Sequence, residues 1–181
     1  YKKDFEPHLI PELLLAPLHV KKPSTILVNF MGDLGGDWVD PGMEVVPEQG
    51  YDAGPISLRR AVFNTMKLRP QHRFLFLSKS PENWKRWGEW PDNAWVGGSV
   101  CSYKMASEAR YYLGLVKAKH KWLSVETLLE PLQDRLGCQF NLRGTGISWV
   151  VIGRQDKPTI WPEIPWIREL VEACDRVGVK V

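Results

Sequence analysis

Cysteine is scarce in this chain: three residues in 181, at Cys101, Cys138 and Cys174. They are odd in number, far apart and never in a Cys-x-x-Cys pair. That argues against a disulfide framework and against a metal site built from them alone. Free thiols fit a reducing compartment. Long apolar runs are missing as well, since no stretch approaches the ~20 residues that cross a bilayer. The start, Tyr1-Lys2-Lys3-Asp4, leads into Pro-rich polar sequence and not into the apolar core of a signal peptide. The expected location is the cytoplasm, with no membrane partner.

Histidine and net charge are equally thin. His8 and His19 lie in the N-terminal segment, while His72 and His120 come just before apolar runs and read as structural. No Ser-His-Asp arrangement, phosphate-cradling glycine loop or zinc spacing occurs. The net charge is +3 and the 24 basic residues are scattered. Lys117, Lys119 and Lys121 read as solvated helix-end charges. A nucleic-acid partner needs several phosphate contacts converging on one face, and none is indicated.

What is present is an ordinary globular composition, 44% hydrophobic and 25% charged, long enough for one domain with a real core. The nine tryptophans are many for this length. Trp84, Trp87 and Trp90 recur at helical spacing before Pro91 and read as packing under a loop in preference to a ligand platform.

Short apolar runs occupy 25–31, 73–77, 94–100, 121–125 and 147–152, and a sixth begins at 179–181. Runs so nearly continuous in apolar residues suggest strands of a parallel sheet buried on both faces. Amphipathic patterns over 56–68, 105–118, 127–136 and 163–177 predict helices between them, the last stopped by Gly178. Strand and helix alternating in this way predict right-handed βαβ units and an α/β fold. One domain is expected over 1–181, with an N-terminal segment at 1–22 and the body at 23–181. A Gly- and Pro-rich stretch at 34–54 reads as a loop insertion, a lid or a disordered excursion.

In parallel α/β folds the chemistry lies at the carboxyl ends of the strands. The tips here are Asn29 with Asp33, Ser78 with Lys79, Ser99, Glu126, and Arg154 with Gln155. Asp33 and Glu126 are the carboxylates. They suit an acid–base pair if the fold brings them within roughly 5–10 Å, and they suit an ammonium ligand equally well. Lys79 suits a carboxylate or phosphate, or a pairing with Glu126. Gly32 beside Asp33 permits close approach of a ligand to the backbone.

Several motifs follow one another in order: Met31-Gly32-Asp33-Leu34; Pro70-Gln71-His72-Arg73-Phe74 into Leu77-Ser78-Lys79-Ser80-Pro81-Glu82; Trp95-Val96-Gly97-Gly98-Ser99-Val100; Leu123-Ser124-Val125-Glu126 with Leu128-Leu129-Glu130-Pro131-Leu132; and Trp149-Val150-Val151-Ile152-Gly153 with Gln155. From about Pro23 to the end, the chain resembles a phage-protein family of unassigned function with phage, bacterial and archaeal members, itself similar to radical-SAM enzymes. The resemblance implies a partial parallel (βα) barrel of the radical-SAM or TIM-like type. Its first strand is expected to be missing and its last truncated, as in a fragment of a longer protein, with a natural cluster-less variant as the other possibility.

The resemblance further implies S-adenosylmethionine and a [4Fe-4S] cluster as cofactors, the cluster held by an N-terminal cysteine set that this chain does not contain. Gly32 and Asp33 would hold the amino group of S-adenosylmethionine, and Ser99, Glu126 and Gln155 would line the rest of the site. Lys79 and Glu126 are the catalytic candidates. Arg154 departs from the small residue expected before Gln155, and the stretch after Gly35 is longer and richer in Gly and Pro. Two other readings stand beside this one: a cluster-free barrel hydrolase using Asp33 and Glu126, and a non-catalytic phage-associated binding module.

Overall fold

The alternation of β-branched and aromatic runs with amphipathic segments appears directly in the computed structural model, which describes residues 8–29, 32–46, 54–133 and 140–181. In chain order the elements are β1 (Thr25–Val28), β2 (Glu44–Val45), β3 (Ile56–Ser57), α1 (Leu58–Lys67), β4 (Arg73–Ser78), β5 (Ala94–Ser99), α2 (Tyr103–Leu115), β6 (His120–Val125), β7 (Ile147–Ile152) and α3 (Ile164–Asp175). Short 3-10 helices cover Pro11–His19 and Pro81–Trp87. No helix among the described residues is long and apolar enough to cross a membrane.

Five strands form one sheet in the order β1-β4-β5-β6-β7, and every neighbouring pair is parallel. Each strand of the sheet joins beside its predecessor, and successive crossovers of one hand put the connections on one face. The main core confirms the one-sidedness. Phe74, Phe76, Val96, Leu123, Val125 and Val150 pack there against Leu58 and Ala61 of α1, Leu113 of α2 and Leu170 and Cys174 of α3. Leu75 and Trp122 are also buried, yet they lie outside that cluster, on the opposite face.

The α/β class and the parallel sheet are as the alternating pattern predicts. A closed or nearly closed barrel is not established, because a parallel barrel takes about eight strands and the described sheet has five. A sixth begins beside β7, where Lys180 N–H donates to Ser148 O (3.2 Å) and Val150 N–H to Lys180 O (2.8 Å).

Local chemistry moves several boundaries. Ile56 and Ser57 form β3, antiparallel to β2, so α1 starts later than the pattern suggests. Ser57 Oγ caps it by accepting from Arg60 N–H (3.3 Å), the usual role of a hydroxyl at an N-cap. The helix expected over 127–136 does not form in the described part: residues 127–133 are irregular, and 134–136 lie outside the described residues. Pro131 supplies no N–H and restricts Glu130 before it. The Glu130 carboxylate instead accepts from Tyr103 N–H (2.7 Å), at the start of α2. Within 34–54, the described part packs against the body. Leu34, Val39 and Val45 enter the core, and the carbonyls of Pro41 and Met43 accept from Arg59 and Leu58 N–H (2.9 and 2.8 Å).

Trp84, Trp87 and Trp90 are buried on the helix side with Phe63 and Phe76, and Trp84 Nε1–H donates to Gly97 O (2.9 Å). His72 is buried and structural: Nδ1 accepts from Ser24 N–H (3.1 Å), and Nε2 lies 3.0 Å from Val20 O. It thereby pins the N-terminal segment to the start of β4.

Candidate functional site

Successive side chains of a strand point to opposite faces, so the helix-side residues fix what the other face displays. Away from the helices β4 presents Arg73, Leu75 and Leu77, β5 presents Trp95, Gly97 and Ser99, and β6 presents His120, Trp122 and Ser124. Lys79 and Glu126 follow immediately at the carboxyl ends of β4 and β6. The middle of this face is aromatic. Trp122 lies across β5 at Gly97, where an added Cβ would sit 2.5 Å from Trp122 Nε1. That Nε1–H donates to Phe76 O and Trp95 O (3.2 Å each). Trp149 stacks on Trp122 with centroids 5.1 Å apart.

At the carboxyl ends, Asp33 is held firmly. Its Oδ1 accepts from Gly35 N–H (2.9 Å) and its Oδ2 from Lys79 N–H (3.1 Å). The carboxylate thus ties the loop after β1 to the first residue beyond β4. Gly35 is pressed onto that strand end, since an added Cβ would lie 2.5 Å from Ser78 Oγ. Asn83 Nδ2 secures the same loop through Gly35 O (2.9 Å) and Asp37 Oδ1 (2.8 Å). Asn29 turns the chain out of β1 at φ 54, a left-handed conformation that Asn tolerates better than most residues. Gly32 N–H donates to Asn29 O (3.0 Å), and a side chain at Gly32 would meet Asn29 Oδ1 at 2.8 Å.

Glu126 leans over β7: a Cβ at Gly153 would sit 2.9 Å from its Cδ. Lys79 and Glu126 are exposed and Ser99 is half-buried. No ion pair or side-chain hydrogen bond joins these three among the described residues. They occupy the carboxyl ends of three adjacent strands, so Lys79 and Glu126 are separated by two strand spacings, about 10 Å.

Gln155 and Arg154 are turned to their own loop. Gln155 exchanges backbone hydrogen bonds with Ile160 (3.0 and 3.1 Å), and its Nε2 donates to Lys157 O (3.3 Å). Arg154 pairs with Asp156 (3.2 Å) and lies over the Trp161 ring at 4.9 Å. The structure therefore gathers Asp33, Lys79, Ser99 and Glu126 along one rim, while the Gln155 and Arg154 side chains are engaged elsewhere. The aromatic floor of Trp95, Trp122 and Trp149 is a feature that the apolar runs alone do not announce, because it depends on how β6 and β7 pair.

A cluster of iron and sulfide needs converging thiolates, and the described residues do not fit one. Cys174 is buried on α3, its thiol pushed up to about 11 by burial and by neighbouring Asp175. Cys101 lies half-buried before α2, with Sγ 3.4 Å from Met105 Sδ. Cys138 falls outside the described residues. Among those described, no three His, Cys, Asp or Glu side chains are grouped to hold a metal.

A five-stranded parallel sheet with helices on one face and a polar rim at the carboxyl ends of its strands defines an α/β protein with a candidate small-molecule site. The chain belongs to the family described as proteins of unknown function, DUF5131, whose model matches residues 2–181. Comparison with curated proteins and with solved structures found no match.

Proposed function

We propose that the rim of β4, β5 and β6 binds S-adenosylmethionine, within a protein of the radical-SAM-like kind. The observation that carries this reading is the order of charge along three adjacent strand ends: the Lys79 cation, the Ser99 hydroxyl, then the Glu126 carboxylate, none paired to another. An amino-acid headgroup has the complementary order. Lys79 takes its carboxylate and Glu126 its ammonium, in charge-assisted hydrogen bonds. Ser99 supplies a hydroxyl between them. Asp33, with both oxygens on backbone amides, acts through the loop it fixes and sets where the Lys79 backbone sits. The described residues supply no ligand set for an iron–sulfur cluster, and no step is derived through one.

An acid–base pair of Asp33 and Glu126 is the lesser reading, because the two Asp33 oxygens already hold Gly35 and Lys79 N–H. The experiment is a calorimetric titration of S-adenosylmethionine into the wild-type chain, Lys79→Met and Glu126→Gln. Saturable binding that each substitution weakens about tenfold, the worth of one such contact, supports the rim site. Equal affinity in all three chains defeats it.

A further inference from the structure

The amino-terminal end of the same sheet face carries a cavity of its own. Arg73 and Ser78 bound one strand, so this end lies about 16 Å from the rim along β4. A cavity of about 280 Å³ opens there, walled by Trp95 and Trp149. Their ring centroids are 5.9 Å apart and their planes 87° from parallel, so two aromatic surfaces meet at a corner. Both rings are backed: His120 stacks on Trp95 at 4.5 Å and 9°, and Trp122 stacks on Trp149 at 5.1 Å and 24°. Burial and the neighbouring Lys119 hold the His120 pKa below its usual value, which favours the neutral ring behind Trp95. Thr25 and Ser148 bring hydroxyls to the lining, and Arg73 and Lys180 bring two cations.

Among the described residues no carboxylate lines this cavity. Neither Arg73 nor Lys180 makes an ion pair among the described residues, and Asp92, which acts on the nearby His120, is 3.5 Å from Lys119 Nζ. Lys180 is not a wandering surface residue at its backbone, because its N–H and C=O are both bonded across to β7. Small-molecule sites are concave and mostly apolar, with a few placed polar groups, and this cavity has that make-up with charge of one sign.

We propose that this cavity binds a planar aromatic anion. The ring lies in the corner of Trp95 and Trp149, where offset and edge-on contacts are favourable. Its carboxylate or phosphate sits between Arg73 and Lys180. The site is separate from the rim and does not depend on what the rim binds.

The test uses four probes on the chain, followed by NMR of the tryptophan indole N–H signals: indole-3-acetate and adenosine monophosphate, with indole and adenosine as their uncharged counterparts. The anionic member of at least one pair binds ten or more times tighter than its neutral partner and shifts the Trp95 and Trp149 signals. Whether that member is the carboxylate or the phosphate names the anion. Arg73→Ala and Lys180→Ala, both at exposed positions, bring the anion down to the affinity of the neutral compound while the melting temperature holds. Saturating S-adenosylmethionine leaves the titration unchanged. Equal binding of charged and neutral probes, absence of saturation with all four, or indifference to both substitutions overturns the proposal.

Discussion

Trp122 rests against Gly97 so closely that a single methyl group at position 97 would clash with its indole, 2.5 Å from Nε1. The indole is buried, bonded to the carbonyls of Phe76 and Trp95, and backed by Trp149. One glycine therefore lets a large ring form the floor of the sheet face away from the helices, between the rim and the amino-terminal cavity.

Gly97→Ala must move that ring. The expected loss is about 1–3 kcal/mol, the range for overpacking a filled interior. Thermal denaturation of Gly97→Ala, Trp122→Phe and the double variant checks it. The double variant falls less than the sum of the two singles, because the smaller ring makes room for the methyl group. Strict additivity would mean that the two residues do not meet.

Asp33→Ala frees the N–H groups of Gly35 and Lys79. Leaving polar groups unpaired costs about 1–3 kcal/mol where they are shielded from water, and the half-buried position of Asp33 puts the expectation at the lower end. Hydrogen exchange localises the effect: the Gly35 and Lys79 amides lose protection while those inside β5 and β6 keep theirs. Unchanged protection at both amides would remove the anchoring role of Asp33.

How much of this was legible beforehand depends on the range of the interactions. The apolar run at 147–152 coincides with β7, and the helix expected over 163–177 forms as α3 at Ile164–Asp175, because local patterning alone decides both. The helix expected at 127–136 does not form across 127–133, since Pro131 outweighs the apolar spacing around it. Asp33 was visible as a strand-end carboxylate, but its tie to the Lys79 amide spans 46 residues, and no local pattern announces it. The tryptophan floor depends on strand register, which shifts between Lys121 and Trp122 against β7. Such an irregularity cannot be read from alternation.

Trp84 tests the other side of the sheet. It is fully buried, touches Phe76, Trp87 and Trp90, and bonds to Gly97 O. Trp84→Ala is expected to cost about 3–5 kcal/mol. Trp84→Phe is expected to cost less, since it keeps a ring and loses chiefly the indole bond and part of the volume. Denaturant midpoints of the two variants, with unchanged slopes, measure the difference.

Cys174 makes stability depend on alkaline pH. Its thiol titrates at about 11 in the folded chain, whereas an unfolded cysteine titrates near 8.5. The folded state therefore binds the proton more tightly. That contribution is complete below about pH 8.5 and is lost as pH rises toward the folded value of about 11. Stability measured across that window declines in the wild type, and Cys174→Ala removes this part of the slope. A reagent for thiolates labels Cys101 before Cys174 in the native chain; the reverse order would contradict the burial of Cys174.

The central claim, that the rim recognises an amino-acid headgroup, is tested most directly by comparing S-adenosylmethionine with 5′-methylthioadenosine on the wild-type chain. The second compound keeps the nucleoside and lacks the ammonium and carboxylate. Recognition by Lys79 and Glu126 predicts that S-adenosylmethionine binds at least a hundredfold tighter, about 2.7 kcal/mol. Equal affinities, or no binding of either compound, would contradict the account.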